Sequence, residues 1–211
     1  DKEELYRLRR EGNHFVYVGR RDVPGTSISY TAADYVTATR QLTELMFNAG
    51  HRQVIYICLD RIIESNQDRE QGFFSAYQQR GFTLPDEPVL RIDPEQISVE
   101  TVQTLLKRGI TAAAVENDSL ALALWAALKN LGLSVPADFS ITLCGNPQRA
   151  IDNSPQWTMF TIPRREMGQH AVRLLVRQMQ NSGHYEPESI DLPCTIVPGQ
   201  TIAPPPASTK K

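Results

Sequence analysis

Short runs of apolar residues alternate along the chain with longer stretches in which apolar residues recur every three or four positions. Residues 54–58, Val-Ile-Tyr-Ile-Cys, form the clearest apolar run, and they show no polar alternation. Such a run predicts a strand that is buried on both faces of a parallel sheet. Leu120, Leu124, Leu128 and Leu131 share one face of a helix with 3.6 residues per turn. This alternation of strand and helix patterns predicts an α/β fold built from βαβ units.

The predicted elements follow one another in this order along most of the chain, and most predicted helices stop at a glycine. Thr31 with Asp34, and Ser65 with Asp68, have the spacing of capping boxes and are predicted to open helices. Helices are predicted at 2–11, 31–50, 65–81, 99–109, 120–132 and 163–183, and strands at 15–18, 54–58, 89–90, 111–115, 139–144, 159–161, 189–192 and 194–197.

Composition excludes several classes of protein. The chain has 211 residues, a net charge of -2 and 22% charged residues, so it lacks the basic excess of a nucleic-acid-binding surface. No apolar run reaches the roughly 20 residues that cross a bilayer, and the acidic start is unlike a signal peptide. We therefore expect a soluble, cytoplasmic protein with no membrane partner. Cys58, Cys144 and Cys194 adjoin apolar runs and lie far apart, which predicts buried reduced thiols and no metal site.

The sequence offers no convincing catalytic constellation. It contains no phosphate-binding glycine loop, no zinc-binding H-E-x-x-H and no G-x-S-x-G elbow. The four histidines, His14, His51, His170 and His184, have no local partners and are predicted to be surface or capping residues. We therefore predict a protein that is not an enzyme and that uses no cofactor.

Polar residues cluster directly after two predicted strands, at the edge of a parallel sheet where ligands bind. Residues 64–69 follow the strand ending at Cys58, and 116–118 follow Val115. Arg69 offers a fork of donors, and Asn117 offers both a donor and an acceptor. These groups suit a polar small molecule. Ser65, Asp68 and Asn117 are also good helix-capping residues, so capping without any ligand remains an alternative explanation for part of the cluster.

The chain resembles the effector-binding region of the LacI/GalR transcription regulators, and several matches occur in the family's order. Residues 31–56 resemble the family's D-N-x-x-G to G-H-x-x-I segment, and 69–73 resemble R-x-x-G-F. Residues 115–121 and 131–141 resemble A-N-D-x-M-A and G-x-x-V-P-x-D-I-S-V. Each match is weak alone, but the order of the set is specific. Further matches are Phe160-Thr161-Ile162, Glu166-Met167-Gly168, Leu192-Pro193 and Thr201 to Pro205.

The resemblance implies a periplasmic-binding-protein-like fold, with two parallel-sheet α/β lobes joined by three crossovers. A small effector, commonly a sugar, would bind between the lobes and alter the operator affinity of an attached helix-turn-helix. Ser65, Arg69 and Asn117 are the implied effector contacts, and a homodimer is the implied assembly. The implied divisions are a partial first lobe at 1–30, a second lobe at 31–158, a return helix of the first lobe at 159–185, and C-terminal strands and tail at 186–211.

The chain departs from the family pattern at its beginning. Residues 1–18 resemble the last helix and strand before the first crossover, so we expect the helix-turn-helix and the earlier strands of the first lobe to be absent from this chain. A first lobe with so few strands is not expected to form a stable sheet alone. We therefore expect a piece of a longer protein, or a chain that a partner stabilises.

The predicted site also departs from the pattern. Pro147 stands where the family usually has an acidic side chain that accepts hydrogen bonds from sugar hydroxyls, and Gly19 stands where Asp is common. An effector other than a sugar is therefore an open alternative. Glu116, Asn146 and Arg20 are predicted to frame such a ligand together with the implied contacts.

The leading interpretation is a ligand-sensing domain of a transcription regulator, with a small effector and operator DNA as partners. One alternative is an enzyme or stand-alone binding module on a similar scaffold. Another is a dimerisation unit whose pocket is degenerate. Ligand binding distinguishes the last alternative from the leading interpretation, since a degenerate pocket binds nothing.

Overall fold

Two sheets organise the chain in a computed structural model that describes residues 1–147, 154–181 and 185–207. The helices are α1 (Lys2–Arg10), α2 (Tyr35–Asn48), α3 (Glu64–Arg80), α4 (Val99–Lys107), α5 (Asp118–Asn130) and α6 (Arg164–Gln180), with a 3-10 turn at Pro94–Gln96. The strands are β1 (Tyr17–Val18), β2 (Tyr30–Ala33), β3 (Val54–Cys58), β4 (Val89–Arg91), β5 (Ala112–Val115), β6 (Ser140–Leu143), β7 (Thr158–Thr161), β8 (Ser189–Leu192) and β9 (Thr195–Val197).

The larger sheet has six strands in the order β4-β3-β5-β6-β7-β9, and only the β7–β9 pair is antiparallel. Every residue of β3, β5 and β6 is buried, which for β3 confirms the prediction from its apolar run. Two helical layers cover the faces of this sheet. Leu124 of α5 and Val102 of α4 belong to the core on one face, and Leu42 of α2 and Phe73 of α3 to the core on the other. We call this sheet with α2–α5 the second lobe.

The smaller sheet has three parallel strands in the order β1-β2-β8. Helix α6 packs on it through Met167, Ala171 and Leu174, which are buried. The Thr31 hydroxyl in β2 donates a hydrogen bond to the Met167 carbonyl at 3.0 Å. We call this sheet, with α1, α6 and the loop that joins β1 to β2, the first lobe. It therefore has three strands, more than the sequence led us to expect.

The chain passes between the lobes at three places: after β2, after β7 and after β8. The expected division at residue 31 falls inside β2, which pairs with β8 along its whole length and with β1 at Tyr30 and Thr31. The return to the second lobe, expected near 186, follows β8 instead, because 189–192 pair with β2. Residues 148–153, residues 182–184 with the predicted end of the last helix and His184, and residues 208–211 lie outside the described residues.

Two predicted capping boxes are wrong. Thr31 lies in β2, and Asp34 alone caps α2 by accepting a hydrogen bond from the Thr37 amide at 2.9 Å. Helix α3 begins at Glu64 without a side-chain cap, so Ser65 and Asp68 form no capping box. Asp68 instead pairs with a distant arginine, Arg20. A spacing rule based on neighbours in sequence has no information about such a partner.

His51 is buried, which corrects its assignment to the surface. Its Nδ1 lies 2.7 Å from the Thr111 hydroxyl, and its Nε2 lies 2.9 Å from the Ala203 carbonyl. Because a carbonyl only accepts, Nε2 carries the proton, and burial lowers the pKa of this imidazole. His51 therefore joins the C-terminal segment to Thr111, which precedes β5, and to Ser140 of β6 as a neutral side chain.

None of the helices in the described part of the chain combines the length and the hydrophobicity needed to cross a membrane.

Candidate functional site

A cleft of about 730 Å³ opens at the carboxyl ends of β3, β5 and β6. Its walls are the loops that follow these strands and β4, the first turns of α3 and α5, and Arg164 at the start of α6. Ligands bind at this edge of open parallel sheets, where strand ends and helix starts present unpaired polar groups. The polar lining includes Ser65, Asn66, Arg69, Glu116, Asn117, Asn146 and Arg164.

Arg69 is held rigidly in the wall of the cleft and is 7% exposed. Its Nε donates to the Cys144 carbonyl at 3.0 Å, and its Nη1 donates to the Ser65 carbonyl at 2.9 Å. The guanidinium lies over the Tyr35 ring, 3.8 Å from the ring centroid. Within the described residues, Nη2 has no hydrogen-bond partner. The side chain is therefore preorganised, with one terminal nitrogen left to donate to a ligand.

Glu116 and Asn117 follow β5. In each of them, one side-chain oxygen accepts a hydrogen bond from a backbone amide of the protein. Glu116 Oε2 accepts a hydrogen bond from the Leu59 amide at 2.8 Å, which ties the end of β5 to the end of β3. Asn117 caps α5, because its Oδ1 accepts from the Leu120 amide at 3.0 Å. Asn117 is therefore a helix-capping residue, as its residue type predicted. These two contacts leave the Asn117 amide nitrogen and Glu116 Oε1 available to pair with a ligand.

Asn146 joins the end of β6 to the start of α6. Its Oδ1 accepts hydrogen bonds from the Ile162 amide at 3.0 Å and from Arg164 Nη1 at 2.9 Å. Arg164 is the one lining residue that belongs to the first lobe among those that the structure describes. The Asn146–Arg164 contact therefore joins the second lobe to the first at one side of the cleft.

Asn66 is a cleft residue that the sequence analysis did not select. It is 3% exposed, and its Nδ2 donates to the Arg61 carbonyl at 3.3 Å. Its Oδ1 is buried without a hydrogen-bond partner. An unpaired buried acceptor costs about 1–3 kcal/mol, which a ligand hydroxyl or amine would recover. The run 64–69 contains Asn66, but the sequence alone did not show which of its residues face the cleft.

The structure brings five of the six predicted site residues together and places the sixth elsewhere. Ser65, Arg69, Glu116, Asn117 and Asn146 all line the cleft. Arg20 does not line it, because its guanidinium pairs with Asp68 and Asp22. Its prediction as a ligand contact is therefore corrected to a contact between the lobes.

Burial keeps two cysteine thiols at or near the cleft protonated. Burial raises the pKa of the Cys144 thiol to about 12, and burial also raises that of Cys58 to about 12. Both thiols stay protonated at neutral pH and are poor nucleophiles. Cys194 is half-buried. In the part of the chain that the structure describes, no cluster of three or more His, Cys, Asp or Glu residues has the geometry of a metal site.

A second groove of about 600 Å³ lies on the outer side of α3. Glutamine side chains of α3 and the Glu70–Arg91 ion pair, whose atoms are 2.6 Å apart, line it. Loops after several strands converge on the 730 Å³ cleft but not on this groove. The cleft is therefore the candidate site.

The chain is similar in sequence to a known domain family and to curated transcription regulators. Residues 43–202 match the family model of the periplasmic binding protein-like domain. The HTH-type transcriptional regulator GalS of Salmonella typhimurium is 27% identical over 160 residues, which cover 74% of this chain and 47% of GalS. The chain spans about half the length of the curated relatives it matches.

Solved structures share the two-lobed fold. The transcription regulator CcpA of Lactococcus lactis is 25% identical with a TM-score of 0.79, covering 96% of this chain and 74% of CcpA. A complex of the transcriptional regulator CelR with cellobiose is 25% identical with a TM-score of 0.79, covering 92% of this chain and 60% of CelR. These likenesses confirm the predicted periplasmic-binding-protein-like α/β fold.

Proposed function

The chain belongs to the periplasmic binding protein-like domain family of LacI-type transcription regulators, and we propose that it senses a small polar effector in the cleft. A sugar or another hydroxyl-rich metabolite is the effector class that we propose. In the intact protein, effector binding alters the affinity for operator DNA through a helix-turn-helix segment outside these 211 residues. We propose a homodimer as the working assembly and no enzymatic activity.

One observation carries this proposal: the cleft places preorganised donors beside unpaired acceptors. Arg69 Nη2 and the Asn117 amide nitrogen are donors, while Asn66 Oδ1 and Glu116 Oε1 are acceptors. Each ligand hydroxyl both donates and accepts, so a hydroxyl-rich ligand satisfies both kinds of group. The solved CelR relative, whose complex contains cellobiose, supports the sugar class.

The site does not reproduce the sugar-binding pattern fully. Pro147 removes one expected acidic acceptor after β6. Glu116 and Asn66 supply acceptors on the β5 and α3 sides of the cleft instead. We therefore propose that ligand hydroxyls pair mainly with that side, and the ligand class is tested with sugars and with other metabolites.

A thermal-shift panel of ribose, cellobiose, adenosine and arginine tests the proposal on the intact protein. A ligand at one hundred times its dissociation constant stabilises the native state by about 2.7 kcal/mol. For a domain of this size, the melting temperature then rises by roughly 5 to 10 °C. No shift with any of these ligands would favour a dimerisation unit with a degenerate pocket. Chemical turnover of a bound ligand would favour the enzyme alternative.

A further inference from the structure

Asp68, near the start of α3, forms an ion pair with Arg20 in the first-lobe loop that joins β1 to β2. Its two carboxylate oxygens accept hydrogen bonds from Arg20, from Nη2 at 2.6 Å and from Nε at 3.1 Å. Arg20 Nη1 also donates to Asp22 at 2.7 Å, so the guanidinium is held on both sides. A two-point contact between arginine and carboxylate fixes orientation as well as distance. The pair therefore orients the loop relative to α3.

Glu64, one turn earlier on α3, makes a second contact with the first lobe. Its carboxylate accepts from Lys2 Nζ at 2.6 Å, from Arg21 Nη1 at 2.9 Å and from the Asp22 amide at 3.2 Å. The side chain is 3% exposed. Burial alone would raise the pKa of Glu64, but the hydrogen bonds from Lys2 and Arg21 outweigh burial and hold it at about 2. The carboxylate is thus ionised and fully paired.

The same helix start lines the effector cleft. Glu64 and Asp68 are four residues apart and share one side of α3, and Ser65 and Arg69 share the neighbouring side. The first pair contacts the first lobe, and the second pair lines the cleft. Because a helix moves as a rigid unit, a shift of this end of α3 alters both sets of contacts together.

We propose that these contacts form a latch between the lobes that sets the effector affinity of the cleft. The α3 latch consists of Lys2, Arg20, Arg21 and Asp22 in the first lobe and Glu64 and Asp68 in the second. It holds the lobe arrangement in which Ser65 and Arg69 face the ligand. A ligand that prefers this arrangement and the latch that stabilises it are coupled thermodynamically. The inference rests on the proposed function of the cleft.

Burial and exposure explain why the latch acts as more than a surface ion pair. Exposed single pairs contribute little, because water screens them and both side chains lose freedom. Here the Glu64 carboxylate is buried and accepts three hydrogen bonds. Removing one of the three donors therefore leaves part of its negative charge buried and unpaired. Arg20 lies outside the cleft lining, so its removal tests the latch without removing a ligand contact.

A double-mutant cycle with Arg20→Ala and Asp68→Asn in the intact protein tests the proposal. Affinity is measured calorimetrically for ribose, cellobiose and adenosine. We expect each single variant to weaken binding about tenfold, within the usual range of coupling between sites. The double variant should bind no more weakly than the weaker single variant, since both changes remove one contact. Arg177→Ala is the matched control, because the Arg177–Glu188 pair at 3.0 Å lies within the first lobe.

A second readout needs no ligand. Spin labels at Lys107 in α4 and Arg173 in α6, both exposed, report the distance between the lobes in a Cys194→Ser background. Arg20→Ala and Asp68→Asn should broaden this distance distribution, and Arg177→Ala should not. An unchanged distribution overturns the latch, and unchanged affinity with a broadened distribution overturns its coupling to the cleft. If the wild type binds none of the ligands, the proposed function fails, while the distances still decide whether the contacts hold the lobes.

Discussion

At the scale of single residues, Asn117 combines an observed capping role with a proposed ligand-binding role, and the two are separable. Its Oδ1 caps α5, and its amide nitrogen is available to a ligand. Aspartate is an equally good capping residue but lacks the amide donor. Substitution at this one position therefore distinguishes helix stability from ligand binding.

We predict that Asn117→Asp keeps the unfolding free energy within about 0.5 kcal/mol of wild type and weakens effector binding about tenfold or more. Asn117→Ala should also lose about 1 kcal/mol of stability, because the cap is gone. Urea unfolding and calorimetric titration measure the two effects. Wild-type ligand affinity in Asn117→Asp would show that capping is the only role of this residue.

Glu64 makes the stability of the fold depend on pH. Its pKa is about 2 in the native state, against an ordinary value of 4.5. A lowered native pKa stabilises the fold above the ordinary value, and this contribution is lost as pH falls from about 5 towards 2. We predict that Glu64→Gln lowers the unfolding free energy at pH 7 by on the order of 2 kcal/mol and flattens the decline below pH 5. Urea unfolding at pH 7, 5 and 3 measures this, and parallel pH profiles for both proteins would contradict it.

Sequence reasoning found the residues that follow strands and missed the pairings made across the fold. Ser65, Arg69, Glu116, Asn117 and Asn146 lie at strand ends or helix starts, which the apolar runs locate. The roles of Arg20 and Asp68 depend on a contact between residues 48 positions apart. Capping propensity at Asp68 was therefore overridden by a tertiary ion pair that no local pattern encodes.

At the scale of elements, Gly72 allows the close packing of α2 and α3. A Cβ atom at this position would lie 2.3 Å from the Val36 carbonyl oxygen and 3.1 Å from Thr39 Cβ. The first neighbour is backbone of α2, which yields only if the helices separate. Gly72 thus sets how closely α3, with its cleft residues, approaches α2.

We predict that Gly72→Ala destabilises the fold by about 2 kcal/mol or more, because the helices must move apart. Gly168→Ala in α6 is the control, since no atom lies within 4 Å of a Cβ built there. That change should stabilise the fold by about 0.5–1 kcal/mol through helix propensity. Chemical denaturation of both variants measures the difference, and equal stabilities would contradict the packing argument.

The elements that sequence predicted well are the ones with long, pure patterns. Strands β3 and β5 are apolar throughout and buried throughout. Strand β2, Tyr-Thr-Ala-Ala, has no such pattern, and it acquires its strand structure from β1 and β8 on either side. Because β8 is more than 150 residues away in sequence, the three-stranded sheet was not predictable from local pattern.

At the scale of the whole molecule, the C-terminal segment joins the two lobes. Strand β8 completes the first-lobe sheet, and β9 pairs with β7 at the edge of the second. The segment then continues to Ala203, whose carbonyl accepts a hydrogen bond from His51. Together with the α3 latch, these connections relate the orientation of the lobes to the geometry of the cleft.

The proposed function depends on Arg69 as the preorganised donor of the effector cleft. Calorimetric titration of wild type and Arg69→Ala with the ligand that gives the largest thermal shift tests this most directly. We predict that Arg69→Ala weakens binding by about tenfold to a hundredfold, as expected for the loss of one hydrogen bond from a charged donor. Arg173→Ala, an exposed change on α6, should leave the affinity unchanged. Equal affinity of wild type and Arg69→Ala would contradict the account, because it would place the ligand away from the cleft.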